Sequence, residues 1–82
     1  MGEKITTMAE RFSELLQNKR KEKNMTKKDV AKLIGLTPMY YARYENNQLI
    51  PTQRNLPQFA KFLEMNEKVL WKFIMEHELN QK

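Results

Sequence analysis

Cysteine is absent from the 82-residue chain, so neither a disulfide nor a thiolate nucleophile is available, as suits a reducing compartment. His77 is the one histidine and Ser13 the one serine. With no second histidine, no nucleophile pair or metal-ligand set can be completed, and neither an enzymatic activity nor a cofactor is expected. Long apolar runs are missing too, and the opening MGEKITTMAERF has no signal core or cleavage pattern, so the chain is read as cytoplasmic with no membrane partner. Repeats, low-complexity tracts and linkers are also lacking, which leaves a single domain over 1–82 with a core of about 7–78 and fraying at residues 1–5 and 79–82. A chain of this length can bury only a small core, which favours helices with mostly local contacts.

What the chain does have is an uneven positive charge. The formal net charge is +5. Residues 19–54 hold nine basic side chains against three acidic ones, while the first eighteen residues are slightly negative and the last twenty-eight balanced. A basic block on an otherwise neutral domain points to a polyanionic partner, with a solvated helix face as the plain alternative.

Hydrophobic spacing and capping residues divide the chain into five helices. Met8, Phe12, Leu15 and Leu16 recur at helical intervals between Thr7 and about Lys23. Thr26 and Asp29 have the form of a capping box, opening a second helix at Lys27 that buries Val30, Ala31 and Ile34. Gly35, the only glycine beyond position 2, suits the left-handed residue that ends such a helix. Thr37 can then cap and Pro38 occupy the first position of a third helix, which should stop near Asn46 and Asn47. A fourth helix is expected from about Asn55 to Glu64, facing Leu56, Phe59, Ala60 and Leu63 inward. The fifth is expected from about Glu67 to Glu78, capped by Asn66.

Two short helices joined by a tight glycine-containing turn make a helix-turn-helix. Counting from Lys27, apolar residues fall at Val30, Ile34, Leu36, Tyr41 and Tyr44, with small Ala31 at the helix crossing and Gly35 at the turn. The stretches KKDVAKLIGLTPMYYARYENN and NLPQFAKFLEMNEKVLWKFI, with the proline of LIP between them, resemble the Xre/Cro-type family of phage and bacterial repressors over roughly residues 10–74. The resemblance implies an all-α, five-helix domain whose third helix reads the major groove, usually as a homodimer on a palindromic operator. It further implies an ion pair between Arg20 and Glu45, and contacts to the DNA backbone from Thr26, Lys27, Lys28, Gln48 and Arg54. Lys27, Pro38, Met39 and Asn47 depart from residues common in that family, so its base preferences do not transfer.

Helical geometry sorts the third helix into two faces. At about 100° per residue, Tyr41 and Tyr44 fall together toward the core, whereas Met39, Ala42, Arg43 and Asn46 fall opposite. Arg43 can fork onto O6 and N7 of a guanine, with a phosphate clamp as the rival role. Met39, Pro38 and Ala42 can make only apolar contacts, such as with a thymine methyl. Tyr40 lies on the border, open to a phosphate contact through its hydroxyl or to simple exposure, while Thr37, Asn46 and Asn47 stand where they could donate to phosphates. Lys19, Lys21 and Lys23 are read as solvated.

Helix five has more apolar surface than one face requires. Val69, Leu70 and Phe73 are expected to fill the core, leaving Trp71 or Met75 outside; Trp71, Met75, Leu70 and Ile74 are the candidates for a dimer interface. Trp71 could equally cover the base of a small core. The leading expectation is a transcriptional repressor binding double-stranded DNA as a dimer. Alternatives are an antitoxin or similar module whose main partner is a protein, and a nonspecific nucleoid-type binder.

Overall fold

The computed structural model describes the backbone of residues 7–79 and the side chains of residues 7–75. Its elements are α1 (Met8–Glu22), α2 (Lys27–Ile34), α3 (Pro38–Glu45), α4 (Leu56–Leu63) and α5 (Glu67–Leu79). Of the fraying expected at 1–5 and 79–82, Leu79 is still helical as the last residue of α5, and the remaining positions, like the His77 side chain, lie outside the described residues. Among the described residues no helix is long and apolar enough to cross a membrane.

Local chemistry sets nearly every boundary. Thr7 and Glu10 form a reciprocal capping box at the start of α1 (3.1 and 2.9 Å), and Thr26 and Asp29 form another at α2 (3.1 and 3.0 Å). Gly35 has φ +91, and the amides of Gly35 and Leu36 both donate to the Ala31 carbonyl (2.9 and 2.8 Å). The chain therefore reverses at once, and the Thr37 hydroxyl accepts from the Tyr40 amide to start α3 (3.1 Å). Asn24 and Asn47 take left-handed φ values of 55 and 65 after α1 and α3. Glu64 does the same after α4, at φ 60, a position where sequence carries no glycine or asparagine to announce it. The Asn66 side chain accepts from the Lys68 amide (2.8 Å) and opens α5.

These helices close around an aromatic centre. Phe12 of α1 meets Phe59 of α4 edge-on at 5.0 Å and Tyr44 of α3 at 6.0 Å, and Tyr44 meets Phe59 at 4.8 Å. Full burial of one such ring is worth about 1.5–3 kcal/mol, so this cluster is a large share of what a small core can supply. Leu16, Val30, Ala31, Ile34, Tyr41, Leu56, Ala60, Leu63, Leu70 and Ile74 pack around it. Helix α1 lies at the middle, packed on α3, α4 and α5, while α2 packs on α3 and α4.

Helix α5 is oriented differently from expectation. Leu70 and Ile74 are both 0% exposed, whereas Val69 is 54% exposed. Leu70 and Ile74 are thus core residues of the single chain rather than candidates for an interface. They stand one turn apart on one stripe, and Val69 is turned about 100° from that stripe. Phe73 is half-buried beneath the Arg11 guanidinium, 4.4 Å from the ring centre. Phe62 also joins the core; it follows Phe59 at the three-residue spacing that keeps both on one face.

Candidate nucleic-acid interface

Helix α3 is held from beneath by a buried polar knot. The Arg20 guanidinium donates two hydrogen bonds to the Glu45 carboxylate, Nε to Oε2 at 2.7 Å and a terminal nitrogen to Oε1 at 3.1 Å. The Tyr41 hydroxyl donates to the same Oε2 at 2.5 Å. Glu45 is only 5% exposed, so removing the guanidinium would strand a carboxylate in a poor solvent for charge, while removing the phenol would take away one of its hydrogen bonds. Burial, followed by the neighbouring carboxylate, pushes the Tyr41 phenol far above its ordinary range. The bond to Glu45 raises the already high pKa of Arg20.

A second tie was invisible in the sequence. The Ser13 hydroxyl donates to the Glu45 carbonyl at 2.7 Å. Gln17, one turn along α1, donates to both the Ser13 oxygen (2.9 Å) and that carbonyl (3.2 Å). Two polar side chains of α1 thereby satisfy a carbonyl at the end of α3, which would otherwise lack an intrahelical partner. The pairs are separated by 32 and 28 residues, and the only local hint is the four-residue spacing of Ser13 and Gln17.

With Tyr41, Tyr44 and Glu45 buried, the opposite face of α3 is left outside. Met39 is 78% exposed and Tyr40 40% exposed; Pro38, Arg43, Asn46 and Asn47 are also exposed, and Ala42 is half-buried. The Tyr40 ring rests edge-on against Tyr44 at 5.7 Å, which settles its body while its edge remains in solvent. Gly35, Leu36, Thr37, Met39, Tyr40 and Arg43 line one shallow depression of about 460 Å³ at the front of the helix-turn-helix.

The residues expected around this face are all at the surface: Thr26, Lys27, Lys28, Thr37, Gln48 and Arg54. The hydroxyls of Thr26 and Thr37 each accept a backbone N–H as helix caps, and a hydroxyl in that role keeps its own hydrogen to donate. Arg54 stands in a turn pinned to α3, because the Asn55 side chain donates to the Tyr44 hydroxyl (2.9 Å) and accepts from the Thr52 amide (2.8 Å). Lys19 and Lys23 are not simply solvated. Lys23 lies 3.0 Å and Lys19 3.6 Å from Glu64, an arrangement that lowers the Glu64 pKa, chiefly through the Lys23 hydrogen bond. Neighbouring Lys21 is exposed.

Away from α3, Trp71 is 36% exposed. It lines a surface groove of about 680 Å³ with Gln53, Leu56, Glu67, Lys68, Lys72 and Met75. Of the four interface candidates on α5, Trp71 and Met75 therefore reach the surface.

Comparison with known proteins gives these features a context. A helix-turn-helix family model matches residues 16–70. The ImmF control region 10 kDa protein of Bacillus phage phi105 is 30% identical over 56 residues, covering 68% of this chain and 62% of that protein's length. The fold is similar to the wild-type restriction-modification controller protein C.Esp1396I, with TM-score 0.66, 25% identity, and coverage of 93% of this chain and 99% of that one. The same controller as a tetramer on its natural 35 base-pair operator also matches, with TM-score 0.66, 25% identity, and 92% and 99% coverage. The clp gene regulator ClgR from C. glutamicum shares the fold at TM-score 0.67, with 14% identity and coverage of 94% and 99%.

Proposed function

The chain belongs to the helix-turn-helix family in its Xre/Cro form, and from that premise we propose that it is a sequence-specific regulator of transcription. It binds double-stranded DNA as a homodimer on a palindromic operator, lays α3 in the major groove, and represses by occupying the site. The observation that carries this reading is the division of α3, with Tyr41, Tyr44 and Glu45 locked inward while Met39 and Arg43 stand off the core. A helix fixed so firmly on one face can present the other to base edges without further ordering.

Arg43 takes the part of guanine reader, through the paired N–H donors that match O6 and N7. Pro38, Met39 and Tyr40 supply the contacts around it. Thr26, Lys27, Lys28, Thr37, Asn46, Asn47, Gln48 and Arg54 hold the phosphates and set register rather than sequence. One helix-turn-helix reads too few base pairs for useful discrimination, and two-fold pairing solves this by placing recognition helices about 34 Å apart. Trp71 and Met75, beside their groove on α5, are the residues through which two copies pair. The controller C.Esp1396I, seen as a tetramer on its operator, supports both the partner and the assembly. A cytoplasmic, nucleoid-associated location goes with this role.

Selection of bound duplexes from a random-sequence pool, near physiological salt, tests the proposal. The expected outcome is a two-fold symmetric site with half-sites about one DNA turn apart. Failure to enrich any sequence would contradict operator binding by this chain and move its function to a protein partner.

A further inference from the structure

Resting on that reading, we infer that the α3 face recognises a 5-methylpyrimidine beside the guanine held by Arg43, and treats thymine and 5-methylcytosine alike. The exposed surface between Thr37 and Asn46 consists of Pro38, Met39, Tyr40, Arg43 and part of Ala42. From Pro38 to Arg43 it presents no carboxylate and no carboxamide: Glu45, the only acid of the helix, is buried against Arg20 and Tyr41, and the Asn46 amide stands at the helix end, where it is assigned to a phosphate. The exocyclic amino groups of adenine and unmodified cytosine are ordinarily matched by carboxamides and carboxylates, and beside Arg43 the preceding turn offers them an apolar Met39 instead.

What the surface does offer is one guanidinium and an apolar flank. Met39 and Arg43 are four residues apart, so they are neighbours on the same helical face, and a long helical side chain leans back toward the preceding turn. Arg43 and Met39 therefore stand on successive turns of one face, and both border the 460 Å³ depression with Leu36 and Tyr40. A guanidinium forked onto a guanine lies in the plane of that base pair. The next base is about 3.4 Å away along the strand, and its only apolar feature in the major groove is a C5 methyl. Thymine carries one, and cytosine gains an equivalent one when methylated at C5. Met39, polarizable and unbranched, can close over that methyl without demanding a single geometry.

The test begins from a duplex selected by the protein, in which the Arg43 guanine is the one whose replacement by 7-deazaguanine weakens the native chain but not Arg43→Ala. At the adjacent pyrimidine, affinities are compared for thymine against deoxyuridine and for 5-methylcytosine against cytosine. Burial of one methyl predicts a loss of about fourfold per half-site when the methyl is absent, about fifteenfold for both half-sites, in each pair. Met39→Ala should erase both differences while leaving thermal unfolding unchanged, as befits a side chain 78% exposed. Equal binding with and without the methyl, on a duplex still preferred over scrambled DNA, overturns this inference and leaves operator binding standing. A methyl effect that survives Met39→Ala also overturns it. If no duplex is preferred over scrambled DNA, the inference and the reading beneath it fail together.

Discussion

Glu45 is tied to the rest of the molecule through both its side chain and its backbone. Its carboxylate takes Arg20 and Tyr41, and its carbonyl takes Ser13 and Gln17. Replacing Arg20 by alanine leaves that charge buried and unpaired, so a loss of about 3–5 kcal/mol is expected in urea unfolding. Converting Arg20 and Glu45 together to methionine and leucine should be far milder, because no stranded charge remains. The raised Tyr41 phenol adds a pH dependence. Its folded pKa lies above the unfolded value, so the stabilisation is complete below about pH 10 and declines as pH rises beyond it, at about 1.4 kcal/mol per pH unit for one group. The Tyr44 phenol, also raised by burial, acts in the same direction. Tyr41→Phe should therefore flatten the alkaline slope of stability without abolishing it. Gly35 makes a simpler case: a Cβ there would meet nothing within 4 Å, yet φ is +91. Gly35→Ala is expected to cost about 1–2 kcal/mol from backbone strain alone.

At the scale of the helix, legibility depended on whether the deciding chemistry was local. The Thr26 and Asp29 box, the left-handed Gly35 and the Thr37–Pro38 start lie within a few residues of what they control, and α2 and α3 begin where those residues say. The two faces of α3 were readable because its buried tyrosines are three residues apart. The orientation of α5 was not. Val69, Leu70, Trp71, Phe73, Ile74 and Met75 wrap much of its circumference, so periodicity alone could not choose a buried stripe; packing against α1 and α4 chose it. The Ser13 and Gln17 bonds were hidden for a related reason, since their partner lies about 30 residues away and no local pattern marks it. The α5 arrangement has a direct consequence. Ile74→Ala should destabilise the chain by about 2–5 kcal/mol through the cavity it leaves. Trp71→Ala should instead weaken self-association in sedimentation experiments, at a smaller cost in unfolding than Ile74→Ala because Trp71 is 36% exposed.

For the whole molecule, charge distribution and α3 together determine how binding should respond to its surroundings. The basic surplus lies between residues 19 and 54, the span that contains the helix-turn-helix and the Arg54 turn. If about five phosphates are neutralised per subunit, log affinity should fall with log salt at a slope of about 4.5 per subunit. Lys28→Ala should reduce that slope by about 0.9 and weaken all duplexes similarly. A base reader behaves otherwise. The most direct measurement is the affinity of the native chain and of Arg43→Ala for the selected operator and for a scrambled duplex, at one fixed salt concentration. The account predicts a loss of about 1–3 kcal/mol per half-site on the operator, with a much smaller change on scrambled DNA, so that specificity relaxes. An equal loss on both duplexes would contradict it, making Arg43 a phosphate clamp and leaving the outward face of α3 without its reader.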